Sequence, residues 1–322
     1  MSLDIFNPTV SVVPKGLEGK TILLYGDNST GKTKQATRMD KPYVMAFEKG
    51  LNAIAGVPYA PINKWADFKK VNKQLTGKDL ERAKEAYSTI IVDTVDAMVP
   101  MVSNYVANQH GANDIASGNG GYGLWKQLET EFWEQINLLT GAGFTVVFIG
   151  HEERDKDTNR IEPKGGKRDM QIVRDLTDII VYLKSQGVDE EGNVILSNGY
   201  VRATDEYFAR SRFDLMPNSI VPFTAENLAD AIKIGIEREE EAGNKTVSYN
   251  EFVEQNKTED LNFEEIKAAL QAAGGKYNEA GRVDEFIDKL NDTFGEGADV
   301  KELKPKQVEA MSVLLQDLRE SF

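Results

Sequence analysis

Gly26-Asp27-Asn28-Ser29-Thr30-Gly31-Lys32-Thr33 decides how this chain is read. The stretch fits G-x-x-x-x-G-K-[ST], the loop that holds phosphates in nucleoside triphosphatases. Its flanks fit too. Thr21-Ile22-Leu23-Leu24-Tyr25 has the length and composition of a buried strand, and residues 34–39 predict the first turns of a helix. Glycines let such a loop bend until its N–H groups converge on phosphate oxygens, and a helix N-terminus adds partial positive charge there. In this pattern Gly26, Asp27, Asn28, Ser29, Thr30 and Gly31 line the phosphates of ATP. Lys32 reaches the β- and γ-phosphates, and the Thr33 hydroxyl ligates Mg²⁺.

Working outward, apolar runs of strand length recur at 42–47, 89–93, 144–149 and 178–183. Helical spacing lies between them: 65–87, broken near Gly77, then 96–109, then 124–140. In the last, Trp125, Leu128, Phe132, Ile136 and Leu139 share one face. Strands alternating with amphipathic helices predict an α/β fold, a doubly wound and mostly parallel sheet with its site at the carboxyl ends of the strands. Residues 10–14 suggest an edge strand, 194–196 and 200–204 an antiparallel extension, and 111–123 a mobile glycine-rich loop. An acidic helix running into Ala242-Gly243-Asn244 suggests a boundary between a core, 1–240, and a small acidic helical module, 241–322. Helical spacing in the module covers 262–273, 283–294 and 304–318, with Gly274-Gly275 and Gly295-Glu296-Gly297 as separators. A partly ordered tail is the competing reading.

The 322 residues carry 40% hydrophobic side chains, enough for a sizeable core, and no cysteine. Disulfides and thiolate metal sites are excluded, and a cytoplasmic setting is expected. No apolar run approaches the ~18 residues of a membrane span, and no secretory leader is visible. Residues 237–322 hold 21 acidic and 11 basic side chains, so −10 of the net −14 lies there. The front of the chain is near balance and has room for a local basic face.

Polar residues close three of the apolar runs. Asp93, after Ile90-Ile91-Val92, is placed to hold Mg²⁺ with Thr33. Glu48 could orient and deprotonate an attacking water; the alternative is a solvated turn residue. His151 could bond the γ-phosphate and pass its presence to the segment that follows; the alternative is a structural histidine. Arg160, Lys164, Lys167 and Arg168 surround Gly165-Gly166 and suggest a flexible basic loop that tracks a nucleic-acid backbone. An ordinary solvated loop explains them equally, because no aromatic is interleaved. Arg210 and Arg212 could supply a finger to a neighbouring subunit. No Asn-Lys-x-Asp sequence for guanine occurs, which favours ATP.

Taken in order, the phosphate loop, Phe47-Glu48-Lys49-Gly50, Ile90-Ile91-Val92-Asp93-Thr94, Phe148-Ile149-Gly150-His151 and Arg210-Ser211-Arg212-Phe213-Asp214-Leu215-Met216-Pro217 resemble the phage-type AAA/RecA-like ATPases. One branch of these comprises single-strand annealing proteins of the fourth Sak group. The resemblance covers about residues 15–235. It implies a RecA-like ATPase core, a homo-oligomeric ring or filament with nucleotide at subunit interfaces, and action on single-stranded DNA in recombination or annealing. It gives Lys32, Thr33, Asp93, Glu48, His151 and the Arg210/Arg212 pair the roles stated above. Related sequences often carry a lysine where Ala209-Arg210 stands. The acidic module lies outside the resemblance and is a candidate for recruiting a single-strand-binding protein. The alternative function is a nucleotide-gated loader that grips a protein partner; a small-molecule kinase ranks last, for want of a lid signature.

Overall fold

The computed structural model describes residues 10–256 and 261–322. Packing divides the chain into two units, Val10–Gln255 and one containing Asn256–Phe322. In chain order the first begins with β1 (Val13–Pro14), β2 (Thr21–Gly26), α1 (Lys32–Ala36), β3 (Pro42–Ala46), β4 (Tyr59–Pro61), α2 (Trp65–Thr76) and α3 (Leu80–Ala86). Next come β5 (Thr89–Asp93), α4 (Val95–Gln109), α5 (Trp125–Gly141), β6 (Thr145–Arg154), β7 (Ile161–Pro163), α6 (Lys167–Leu176) and β8 (Ile179–Lys184). β9 (Asn198–Tyr200), β10 (Arg210–Ser211), β11 (Ser219–Ile220), α7 (Ala225–Glu241), β12 (Thr246–Val247) and α8 (Tyr249–Asn256) complete it.

The sheet runs β11-β9-β8-β2-β6-β5-β3-β4. From β8 to β4 every pairing is parallel, and β9, β10 and β11 add antiparallel strands at one side. The α/β, mostly parallel, RecA-like sheet expected from the sequence is therefore what forms. Its strands are buried on both faces. Leu23 and Tyr25 of β2 turn towards Trp65, Phe68, Phe132 and Phe148, while Ile22 and Leu24 turn towards Leu228, Ile232 and Ile236 of α7. Each such side chain contributes about 1.5–3 kcal/mol on burial, which is why continuous apolar runs mark these strands.

Four expectations need correction. Residues 159–174 are not a flexible loop: β7 pairs antiparallel with the end of β6, and α6 follows. Residues 194–196 form no strand, only a bridge of Val194 to Val188, and the antiparallel extension is built by β9, β10 and β11. The boundary falls at Gln255–Asn256 rather than 240–241. The reason is local: β12 pairs in parallel with β1, and the Tyr249 hydroxyl donates to the Thr140 carbonyl at 2.6 Å. Finally, Gly274-Gly275 does not separate helices but lies inside α9 (Phe263–Glu279), where Gly274 backs onto the Phe286 ring. Residues 1–9 lie outside the described residues.

The second unit continues with α10 (Val283–Phe294) and α11 (Val308–Glu320). Its core gathers Leu270, Tyr277, Leu290, Met311, Leu314 and Leu318, and the Tyr277 hydroxyl donates to the Leu318 carbonyl at 3.0 Å. Among the described residues no helix is long and apolar enough to cross a membrane.

The two units have separate cores, and the chain's three tryptophans, Trp65, Trp125 and Trp133, all lie in the first. Leu314→Ala should cost about 2–5 kcal/mol in the second unit alone. In urea, part of the far-ultraviolet dichroism should melt earlier while the tryptophan fluorescence midpoint stays put. A shifted fluorescence midpoint would mean that the cores melt as one.

Candidate nucleotide-binding site

β2 delivers the phosphate loop. Gly26 is required by a close approach: a Cβ there would sit 2.4 Å from the Leu183 carbonyl oxygen of β8. Gly31 is required by its backbone, at φ 82°, and the space beside it is open. Among the described residues the N–H groups of Ser29, Thr30 and Gly31 meet no acceptor, which leaves them for phosphate oxygens. Helix α1 is a turn and a half long, shorter than the sequence suggested, so its dipole adds little; the loop N–H groups and Lys32 supply the charge.

The Lys32 ammonium folds back on its own loop, donating to the carbonyls of Gly26 (3.0 Å) and Asp27 (2.7 Å) and to Thr30 Oγ1 (3.3 Å). It is 7% exposed, and burial lowers its pKa against the opposing pull of Asp27, Glu152, Asp93 and Asp96. Thr33 Oγ1 donates to Asp93 Oδ2 at 3.2 Å. Asp93 is 3% exposed; burial raises its carboxyl pKa, opposed by the Thr33 hydrogen bond. A hydroxyl and a carboxylate side by side at the end of the loop fit a magnesium ion, and the open cradle of N–H groups fits a triphosphate.

Sheet order brings the remaining groups in. β6 lies between β2 and β5, with His151 opposite Gly26 and Ile149 opposite Asp93. Beyond β3, the N–H groups of Phe47 and Glu48 both donate to the Asp93 carbonyl, at 2.7 and 3.2 Å. Glu48 Oε1 accepts from the Thr94 hydroxyl. One donor atom each of Glu48, Asp96 and His151 lies within 4.8 Å of the others. Lys32, Thr33, Glu48, Asp93 and His151 thus share one site at the carboxyl ends of the parallel strands.

The arginines do not join it. Arg210 donates to the carbonyls of Arg174 and Thr177, and Arg212 donates to the Asp175 carbonyl and pairs with Asp178 at 3.4 Å. Arg210 sits opposite Ile180, near the amino end of β8, whereas Gly26 sits opposite Leu183. Within this chain neither reaches the phosphate loop. The basic segment is partly neutralised as well. Glu162 pairs with Arg174 at 2.8 Å and Arg160 at 3.6 Å, and both guanidinium groups lie over Phe208. Arg168 lies over Trp125 at 4.1 Å, and Lys164 Nζ is 4.0 Å from Asp96 Oδ2. Lys167 opens α6, and its side chain lies outside the described residues.

Sequence reasoning passed over four groups. Asp96 bonds His151; Ser197 Oγ donates to the Thr30 carbonyl at 2.9 Å; Gln35 Oε1 accepts from Ala225 N–H at 3.2 Å. Glu152, next to His151, has its carboxyl pKa raised by burial and by Asp27. Adjacency to Asp93 and His151 could have flagged Asp96 and Glu152. Nothing local marks Ser197 or Gln35, whose partners are more than 150 residues away.

Residues 18–213 match the family described as AAA domain. This chain belongs to that family. It is also 52% identical over 321 residues to the SPbeta prophage-derived uncharacterized protein YorG of Bacillus subtilis (strain 168), covering 99% of each chain. The AAA domain implies a nucleotide-binding ATPase, and magnesium is its usual companion.

The raised Asp93 carboxyl has a consequence for stability. The folded chain holds this proton more tightly than the unfolded chain, so stability falls as pH rises from the ordinary carboxylate range through the raised value. At neutral pH the folded chain without metal bears that cost. Asp93→Asn removes the charge and keeps an acceptor for Thr33. It should melt higher than wild type at pH 7, each kcal/mol gained appearing as about 2–4 °C, with a flatter pH dependence. A lower melting point would show that the charge is already compensated.

Proposed function

We propose that this AAA protein hydrolyses ATP as a phage-type, RecA-like homo-oligomer acting on single-stranded DNA in recombination or annealing. One observation carries the reading. β6 runs without a break from the heart of the sheet through His151 to Arg154, where it pairs with β7, and the Lys164 N–H donates to the His151 carbonyl at 2.8 Å. The imidazole beside the phosphate loop and the basic segment are therefore one mechanical piece. The prophage origin in the relative's name agrees with a phage setting.

The roles follow from position. Lys32 neutralises charge on the phosphoryl group in transfer. Glu48, held by Thr94, orients the attacking water and takes its proton. Thr33 and Asp93 would hold magnesium, which would supply charge neutralisation for the phosphates. His151 senses the terminal phosphate. Lys164, Arg168 and neighbouring cations meet a sugar–phosphate backbone by charge, without reading bases.

A loader that captures a protein partner is the second reading. The separate core of the acidic helical unit favours it, as does the neutralisation of Arg160 and Arg174 by Glu162.

ATP turnover should rise when single-stranded DNA is added, and the mass measured with ATP should exceed that of one chain. Lys32→Ala should lower kcat by about 100- to 1,000-fold. Glu48→Gln should keep nucleotide affinity and lose about 100- to 10,000-fold in kcat. A Gln variant with normal turnover would remove Glu48 from the role of base. A rate unmoved by saturating oligonucleotide would favour the loader.

If the basic segment contacts DNA, Lys164→Ala and Arg168→Ala should each reduce the slope of log affinity against log salt by about 0.7. Slopes equal to wild type would place the DNA elsewhere.

A further inference from the structure

The imidazole of His151 is held by a single carboxylate. Asp96 Oδ2 lies 2.9 Å from His151 Nδ1, and Asp96 Oδ1 accepts the His151 backbone N–H at 3.2 Å. One side chain therefore clamps both the ring and the main chain of one residue. The Asp96 side chain is 8% exposed and sits in the first turn of α4, directly after the strand that ends in Asp93. An ionised carboxylate has only acceptor oxygens, so the proton of that contact belongs to Nδ1. Among the described residues Nε2 has no partner. The same Oδ2 faces Lys164 Nζ at 4.0 Å, and Lys164 is bonded through its N–H to the His151 carbonyl.

We propose that Asp96 is the positioning residue of the phosphate-sensing histidine: it holds His151 with Nδ1 protonated, leaves Nε2 for the terminal phosphate, and joins the ring to Lys164 of the basic segment. The proposal rests on the ATPase reading above and deepens it. Phosphate oxygens only accept hydrogen bonds, so Nε2 bonds one by taking up a proton from solvent. The imidazolium so formed faces Asp96 on α4, Glu48 beyond β3, Asp93 at the end of β5 and Lys164 beyond β7. Three carboxylates balance it against two ammonium groups, Lys164 and Lys32, the latter bonded to the carbonyl of Gly26 opposite His151 and pulled on by Asp93 and Asp96. Loss of the terminal phosphate returns the proton to solvent, and Asp96 Oδ2 is then shared between Nδ1–H of the neutral ring at 2.9 Å and Lys164 Nζ at 4.0 Å. That change of charge beside Lys164 gives the basic segment a signal of the nucleotide state.

An acidic residue in a helix's first turn is also stabilising without any such role, so the test separates the two. The chain has two histidines, and long-range ¹H–¹⁵N spectra read the tautomer of His151 with His110 as reference. In the full wild-type chain His151 should carry its proton on Nδ1. Asp96→Asn should give a mixture with the Nε2–H form. In kinetics, Asp96→Asn should lower kcat for ATP about 10-fold or more while nucleotide affinity stays within a few-fold. On a His151→Gln background the same change should cost almost nothing further, whereas a role confined to the helix start would add its full effect. An Nε2–H His151 in the wild-type spectrum overturns the proposal even if no variant folds, and so do additive losses in the double variant. The spectra need no turnover. A wild-type chain that fails to hydrolyse ATP therefore sinks the ATPase reading, and the tautomer still decides this one.

Discussion

Two opposite charges are buried in the nucleotide site without pairing with each other. The Lys32 ammonium is satisfied by carbonyls and a hydroxyl of its own loop, and the Asp93 carboxylate by the Thr33 hydroxyl. Burial disfavours the charged form of both groups. An arrangement like this survives only if its surroundings cannot relax to neutralise it. The parallel register supplies that rigidity. Gly26 is fixed opposite His151 and Asp93 opposite Ala46, along strands whose side chains are locked into both cores. The burial of dozens of apolar side chains offsets the cost of two underused charges. Those charges then stand ready for phosphate and metal, which is the sense in which the site is preorganised.

Strand order explains why an imidazole belongs to this site. β2 and β5 are not neighbours, so the phosphate loop meets Asp93 only at its far end, through Thr33. β6 comes between them, so its last buried residues fill the gap, and the group that emerges there is His151. The same strand then leaves the sheet to pair with β7. A residue in contact with the phosphate site is thus continuous with a segment outside it, as a sensor requires.

What was legible in the sequence was what depends on local pattern. The phosphate loop, the parallel strands and the acids at their ends follow from apolar runs, turn residues and spacing, and the structure brings Lys32, Thr33, Glu48, Asp93 and His151 together. What was not legible depends on distant partners. Ser197 and Gln35 meet partners 167 and 190 residues away, which no window of sequence exposes. The glycine pair at 274–275 looked like a breaker because glycine weakens helices, yet packing of Gly274 on Phe286 outweighs that propensity. The break expected after Glu241 failed for a similar reason. Two residues of β12 bond to β1, and they carry the following helix with them into the first unit.

The basic segment is the most instructive case. Read along the chain, its arginines and lysines looked free and its aromatics absent. In three dimensions Phe208 comes in beneath Arg160 and Arg174, Trp125 beneath Arg168, and Glu162 between the first two. Tyr25, on the strand that feeds the phosphate loop, bonds the Phe208 carbonyl through its hydroxyl. The segment is consequently built into the ATPase core. Fewer of its charges are available to a polyanion than the sequence suggested, which lowers the electrostatic gain from any contact. Those that remain, Lys164 in the short bend between β7 and α6 and Arg168 on α6, are held by ordered elements, so less conformational entropy is lost when they engage. With little loop to reorganise, a change at His151 reaches Lys164 through one carboxylate and one backbone hydrogen bond. Under the function proposed above, coupling of nucleotide to a partner would depend on a displacement of this rigid piece, not on the ordering of a loop.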